Sequence, residues 1–181
     1  MADFEKAITK TLKLEGGYAN NKYDTGGKTM YGITEAVARG WGYKGEMKDL
    51  PLYIAKNIYK VGYWDANRLS DVPNQLLAEN IFDAGVNCGI GMAGLFLQRA
   101  LNLLNRRGTL WPDIAVDGKI GSGTIGALKK ALTVPGLETG IIKLYNILRG
   151  AYYVQIAEKR VENEEFMLGW ILHRVMLEVD K

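Results

Sequence analysis

Two carboxylates near the start of the chain stand beside glycine pairs, and a threonine follows them. Glu15 directly precedes Gly16–Gly17, and Asp24 comes nine residues later, shortly before Gly26–Gly27 and Thr29. Two carboxyl groups held in contrasting environments can cleave a glycosidic bond, since one protonates the leaving oxygen. The other stabilises positive charge at the anomeric carbon or orients a water molecule, which the Thr29 hydroxyl could help to hold.

The element that must position Glu15 is an amphipathic helix. Its apolar face recurs at intervals of three and four residues, in the series Phe4, Ala7, Ile8, Thr11 and Leu12. Asp3 can cap its start, and Gly16–Gly17 end it. Glu15 continues the same face, where an ionised carboxylate is costly, and it stands at the helix end that disfavours negative charge. Both effects are expected to raise its pKa, as proton donation at neutral pH requires.

The segment from residue 18 to residue 33 loses the helical period and is rich in glycine, asparagine and threonine. We expect a loop or a small β-hairpin here, turning at Thr25–Gly26–Gly27. In such a polar, hydrated loop Asp24 would stay ionised. The aromatic faces of Tyr18, Tyr23 and Tyr31 could contact sugar rings, and packing in the core is the alternative for each of them.

The glycine-rich stretch has two alternative interpretations, a phosphate-binding loop and an ordinary turn. Gly27–Lys28–Thr29 looks like the end of a phosphate-binding loop, but that motif requires glycine where Lys22 stands and a strand where the first helix is predicted. An ordinary helix-ending turn with a solvated Glu15 is the second alternative. The buried face and the unfavourable helix end both argue against it.

The amino-acid composition excludes several classes of protein. A chain of this length with a hydrophobic content of 48% can form a core without disulfide bonds or a structural metal. The single cysteine, Cys88, excludes an internal disulfide framework and a cysteine-based zinc site. A net charge of +3 without a dense basic cluster does not favour a nucleic-acid partner. No run of about 18 apolar residues is present, so stable membrane insertion is not expected. The N-terminus MADFEKAITK lacks the apolar core of a Sec signal peptide, and we therefore expect another route of export.

The rest of the chain is predicted to be helical, with no convincing sheet. The expected helices begin at Thr34, Asp49–Pro51, Asp71–Pro73, Met92, Ser122 or Thr124, Pro135 and Phe166. They end near Arg39, Lys60, Val86, Asn105, Leu132, Arg160 and Glu178, in the same order. Asp83 and Asn87 lie four apart on one helix face, where both could hydrogen-bond a sugar or hold the catalytic loop in place. Further on, Leu97–Asn102 (LQRALN) precedes Val116–Leu128 (VDGKIGSGTIGAL), a pattern similar to small helical peptidoglycan-binding modules.

The motifs around the two carboxylates carry a family resemblance. The spacing Glu-x8-Asp-x4-Thr resembles the Glu-x8-Asp-x5-Thr of phage-type lysozymes, with one residue fewer before Thr29. More specifically, LEGGY followed by DTGGKTMYGIT resembles glycoside hydrolase family 108, a group of lysozyme-like N-acetylmuramidases found in phage endolysins and in bacterial proteins described as secretion activators. In that family the EGGY glutamate is the essential acid, which corresponds to Glu15. Asp24, Thr29 and Gly32–Ile33 match the rest of the motif.

The resemblance implies a mainly α, lysozyme-like fold with a small β-hairpin or loop after the first helix. It implies a catalytic region over residues 1–90 and a helical, predicted peptidoglycan-binding region over residues 91–181. The expected activity is hydrolysis of the β-1,4 bond between N-acetylmuramic acid and N-acetylglucosamine, and phage-type spacing favours inversion. No metal or organic cofactor is implied, the partner is peptidoglycan, and a monomer is expected to act in the periplasm or cell wall after export or holin-type release. The alternative is a non-catalytic cell-wall-binding or secretion-activating protein.

Overall fold

A computed structural model of the chain describes residues 1–15, 17–20 and 27–175. It divides the chain into two compact units. The first, Asp3–Ala66, is called here the N-terminal unit, and the second, Asn67–Lys181 with Met1–Ala2, is called the C-terminal unit. Helices dominate both units, which confirms the mainly α class.

The N-terminal unit contains three α-helices and a small sheet among its described residues. Its elements are α1 (Phe4–Glu15), β1 (Ala19–Asn20), β2 (Lys28–Met30), β3 (Ile33–Thr34), α2 (Glu35–Gly40), a 3-10 turn (Met47–Asp49), α3 (Leu52–Tyr59) and a π-helical segment (Lys60–Asp65). Its buried side chains include Ile8, Ile33, Met47, Ile58 and Trp64. Trp64 packs edge-on against Phe4 with ring centroids 5.6 Å apart, so this tryptophan belongs to the core.

The predicted hairpin after α1 is present and is joined by a third strand. β2 lies between β1 and β3, antiparallel to both, with Thr29 opposite Ala19 on one side and opposite Thr34 on the other. Of the predicted turn, Gly27 has a positive φ of 63°, whereas Thr25 and Gly26 lie outside the described residues. β3 was not predicted, because a two-residue strand is too short to produce an alternating pattern.

The C-terminal unit is an assembly of helices around α5. Its elements are a 3-10 turn (Leu69–Asp71), α4 (Gln75–Cys88), α5 (Ile90–Leu104), α6 (Ser122–Ala131), α7 (Leu137–Lys159), a second 3-10 turn (Val161–Asn163) and α8 (Glu164–Arg174). α5 packs against α4 and α7, and α8 packs against α7. Even α7, the longest described helix at 23 residues, lacks the continuous apolar stretch that a membrane span would need.

Most predicted helix boundaries are correct to within a few residues, and the differences have local causes. Asn74 caps α4 through its side-chain oxygen, which accepts a hydrogen bond from the Leu77 amide at 2.7 Å, so the helix begins at Gln75, just after the predicted opening residues Asp71 and Pro73. α3 ends at Tyr59, next to the predicted Lys60, and the chain continues directly into the π-helical segment. α8 ends at Arg174 because Val175 is extended, and the predicted end at Glu178 lies outside the described residues.

A close backbone approach fixes the loop after α5 to that helix. A methyl group at Gly94 would lie 2.1 Å from the Gly118 carbonyl oxygen, and one at Gly118 would lie 2.8 Å from the Gly91 carbonyl oxygen. Gly118 also has a positive φ of 77°. Glycine is required at Gly94 and Gly118 because a side chain at either position would clash with backbone atoms, which cannot move aside as a flexible side chain can.

Replacing Gly94 by alanine should therefore destabilise the protein by about 1–3 kcal/mol, the usual cost of overpacking a core. Urea denaturation would measure the loss. Gly126→Ala is the matched control, since Gly126 is an exposed residue inside α6 with no described atom near its added methyl group. The control should stabilise the protein by roughly 0.5–1 kcal/mol, because alanine is the better helix former. Equal stability of the two variants would contradict the close approach.

Candidate functional site

Glu15 is the last residue of α1, as the glycine pair predicts. The helix starts at its predicted cap, where Asp3 Oδ1 accepts hydrogen bonds from the amides of Glu5 at 2.8 Å and Lys6 at 3.4 Å. Its buried face is formed by Ala7, Ile8 and Thr11, and position 15 follows Thr11 by one helical interval. The backbone of Glu15 therefore stands at the carbonyl end of a helix with a firmly buried face.

Thr29 occupies the middle of β2, the central strand of the sheet, and its side chain is half-buried. Tyr18 directly precedes β1 and is 45% exposed, so its ring is not part of the core. Tyr23 and Asp24 lie outside the described residues. The sheet thus brings Tyr18, Thr29 and Tyr31 into one small element that directly follows α1.

Tyr31 has an uncommon backbone conformation. Together with Gly32 it forms the two-residue connection between β2 and β3, and both residues have positive φ, at 54° and 75°. That is the pattern of a type I′ hairpin turn, which usually contains asparagine or glycine rather than an aromatic residue. The Tyr59 hydroxyl donates a hydrogen bond to the Tyr31 carbonyl oxygen at 2.9 Å and holds the turn. Strain of this kind is frequent at functional sites, and a contact between the Tyr31 side chain and a sugar stays a prediction.

The predicted pair Asp83 and Asn87 lies in the C-terminal unit and is held in a partly buried polar network, in which Arg149 is buried and Asn87 is exposed. Asp83 forms ion pairs with Arg149 of α7 and with Arg174 of α8, the latter at 2.6 Å. Tyr153 donates a hydrogen bond to Asn87 Oδ1 at 2.8 Å and accepts one from Arg149 Nε at 2.9 Å. The two residues therefore join α4 to α7 and α8. A contact between either of them and a sugar stays a prediction.

The electrostatics of this network keep Arg149 charged and Tyr153 neutral. Burial alone lowers the pKa of Arg149, but its ion pair and hydrogen bond with the Asp83 carboxylate favour the charged form, and the net shift is upward. Burial raises the pKa of Tyr153 above its ordinary value, so the hydroxyl keeps the proton that it donates to Asn87. Each side chain thus stays in the protonation state that its hydrogen bonds require.

Sequence reasoning did not find Arg149, Tyr153 and Arg174. The spacing of residues in α7 could have indicated Arg149 and Tyr153. Every fourth residue along one face of this helix is buried, in the series Ile141, Tyr145, Arg149, Tyr153 and Ala157. An arginine in the middle of an apolar stripe requires a buried carboxylate partner. The partner lies 66 residues earlier in the chain, which is why the helix pattern alone could not identify it.

The motif that resembles peptidoglycan-binding modules has a structural explanation in the C-terminal unit. Gln98 and Asn102 on α5 and Asn105 at its C-cap form one polar stripe, and their amides hold the backbone of the following loop. Gln98 Oε1 accepts a hydrogen bond from the Gly118 amide at 2.8 Å, and Asn102 both donates to and accepts from the backbone of Ile114.

The Asp117 carboxylate takes part in holding the same loop. It accepts hydrogen bonds from the Lys119 amide and from Gln98, each at 2.9 Å, and these bonds lower its pKa. A cavity of about 210 Å³ lies beside these residues. The polar residues of the motif therefore fix the shape of the loop.

Each half of the chain matches a model of a known protein family. Residues 8–89 match the family model described as Glycosyl hydrolase 108, and residues 92–175 match the model described as Predicted Peptidoglycan domain. Among solved structures, the chain is similar to SagA of Brucella abortus, with a TM-score of 0.72 and 26% sequence identity. That similarity covers 94% of this chain and 88% of SagA. No curated protein gives a significant match.

Proposed function

We propose that this chain, which carries a glycosyl hydrolase 108 domain followed by a predicted peptidoglycan domain, is an N-acetylmuramidase. The two domains support glycoside hydrolase activity directed at peptidoglycan in the cell wall. The finer proposal is that the enzyme cleaves the β-1,4 bond between C1 of N-acetylmuramic acid and O4 of N-acetylglucosamine. Action in the periplasm or wall would follow export or holin-type release.

The observation that carries this proposal is the position of Glu15 at the last residue of α1, directly before the chain enters the small sheet. The backbone position lies at the negative end of the helix dipole, where a neutral carboxyl group is favoured over a carboxylate. Glu15 would give its proton to O4 as the C1–O4 bond breaks. The leaving sugar then departs as a neutral alcohol.

The remaining roles are assigned to residues of the loop and the sheet. Asp24 would stabilise the positive charge at C1 or orient the attacking water, and Thr29 of the central strand would assist through its hydroxyl. Tyr18 and Tyr31 would contact sugar rings, as would Tyr23. The exposure of Tyr18 and the held turn at Tyr31 support this assignment.

Mass spectrometry of digested peptidoglycan tests the proposed bond directly. Purified cell-wall material is incubated with the protein, the products are reduced with borohydride, and the new end sugar is identified. The expected products end in reduced N-acetylmuramic acid. Products that end in reduced N-acetylglucosamine or in a 1,6-anhydro ring would contradict the proposed bond or the use of water. Binding to the wall without any new reducing end would favour the non-catalytic alternative.

A further inference from the structure

The N-terminal unit contains a groove that is lined by none of the residues proposed to act on the glycosidic bond. It has a volume of about 580 Å³, within the range of small-ligand sites. Its lining, which we call the aromatic groove, consists of Trp41, Gly42, Tyr43, Lys44, Tyr53, Ile54 and Asn57. Trp41 is 42% exposed and Tyr53 is 72% exposed, so two large aromatic surfaces face solvent in one concave site.

One wall of the aromatic groove is the rigid end of α2. Gly42 has a positive φ of 85° and donates to the Arg39 carbonyl oxygen at 2.9 Å, while the Tyr43 amide donates to the Ala38 carbonyl oxygen at 3.0 Å. These two bonds form a Schellman motif, which fixes the direction of the chain after a helix. Arg39 adds hydrogen bonds to the carbonyl oxygens of Tyr43 and Gly45, so this wall is formed before any ligand arrives.

The other wall is the exposed face of α3. Tyr53 and Asn57 are four residues apart and therefore lie side by side on this face. A methyl group added at Gly62, in the π-helical segment that follows, would lie 3.9 Å from the Trp41 indole, so the tryptophan is in contact with this segment while part of its ring remains open. Segments of π-helix occur frequently at functional sites.

The polar groups of the groove are available to a ligand. Within the described part of the chain, the Lys44 ammonium, the Asn57 amide and the Tyr53 hydroxyl have no hydrogen-bond or ion-pair partner. By contrast, Lys56 and Lys60 of the same unit are paired with Glu5 and Asp65. Broad aromatic faces suit the apolar faces of sugar rings, an amide suits acetamido and hydroxyl groups, and a free ammonium suits a carboxylate.

We infer that the aromatic groove binds a carboxylate-bearing segment of an N-acetylhexosamine glycan, and so holds the polymeric substrate through sugars other than those at the cleaved bond. Trp41 and Tyr53 contact the sugar rings, and Lys44 pairs with the carboxylate. This inference rests on the proposed function, because the glycan that it names is the proposed substrate. A catalytic unit with such a groove retains an insoluble polymer between successive cleavages.

Glycan binding by variants of the aromatic groove tests the inference without requiring catalysis. All variants are made in a Glu15→Gln background, and binding is measured by calorimetric titration. The first probe is a tetrasaccharide of alternating N-acetylglucosamine and N-acetylmuramic acid, and the second is the uncharged tetramer of N-acetylglucosamine. Trp41→Ala and Tyr53→Ala should each weaken binding of both probes by about 3- to 10-fold, the range expected for an aromatic contact. Lys44→Ala should weaken only the charged probe, by about 5-fold.

Two matched controls separate the groove from general surface effects. Leu52→Ala removes an exposed side chain from the same helix outside the groove, and Lys48→Ala removes an exposed ammonium four residues from Lys44. Both controls should bind the probes as the parent protein does. Unchanged binding by the Trp41 and Tyr53 variants, or no binding by the parent, would overturn the inference.

The wild-type protein, assayed separately on cell-wall material, distinguishes the two proposals. If the wild type releases products that end in N-acetylmuramic acid but the groove variants bind the glycan probes normally, the inference about the groove is wrong and the proposed function is retained. Weakened binding by the groove variants, together with no bond cleavage by the wild type, would overturn the proposed function and support the groove.

Discussion

Replacing Glu15 by glutamine should lower the rate of peptidoglycan hydrolysis by about 10²- to 10⁴-fold, the usual contribution of a general acid. Glutamine has nearly the same shape as glutamate and can hydrogen-bond a sugar, but it has no proton to give to the leaving oxygen. The loss should appear in the rate of release of new reducing ends, with little change in the affinity for the wall. Removing a group that acts in the transition state lowers kcat rather than raising KM.

Glu46→Gln is the matched control for this experiment. Glu46 is an exposed glutamate of the same unit whose nearest cation, Lys28, is 4.0 Å away, so the same isosteric change should leave the rate unaltered. Thermal unfolding of both variants should match that of the wild type, which separates a chemical loss from a folding defect. A Glu15→Gln protein that cleared cell-wall suspensions at the full rate would exclude Glu15 as the acid.

Replacing Asp83 by alanine should destabilise the protein by about 3–5 kcal/mol, the cost of leaving a buried charge without its partner. Arg149 is only 1% exposed and Arg174 is 16% exposed, and both donate to the Asp83 carboxylate. The lost ion pairs would weaken the attachment of α7 and of α8 to α4, although the bond from Tyr153 to Asn87 would remain. Urea denaturation would measure the change, and activity is expected to fall only as far as the folded fraction falls.

Two further variants test whether the buried, unpaired charge of Arg149 causes the loss of stability in Asp83→Ala. Asp71→Ala also removes an aspartate paired with an arginine, but this pair is exposed and should contribute only about 0–1 kcal/mol. The double variant Asp83→Leu with Arg149→Met removes the buried charges of both residues, and it should recover much of the lost stability. A double variant as unstable as Asp83→Ala would show that the hydrogen bonds of Arg149, rather than its unpaired charge, hold the helices together.

Features that depend on neighbouring residues in the chain were predictable from the sequence. The spacing of Phe4, Ile8 and Thr11 and the glycine pair after Glu15 give the extent of α1. Thr34 caps α2 as expected, with its hydroxyl oxygen accepting a hydrogen bond from the Val37 amide. Helix periodicity and capping are local, so these elements can be identified without knowledge of the fold.

Features that depend on distant residues could not be predicted in this way. Asp83 and Asn87 were recognised as a pair on one helix face, but their partners on α7 and α8 become neighbours only through tertiary packing. The aromatic groove is likewise formed by the end of α2 and the exposed face of α3. In the sequence Trp41 and Tyr53 look like ordinary aromatic residues, and only their exposure in one concavity distinguishes them.

The polar stripe on α5 has a practical consequence for protein engineering. Because Gln98, Asn102 and Asn105 hold the following loop largely through its main chain, its outward side chains other than Asp113 and Asp117 contribute little to its shape. Ala115 and Val116 are exposed and can be exchanged as a cassette while the stripe and Gly118 are kept. Libraries of loop variants can therefore be built at these positions without redesigning the helices that support the loop.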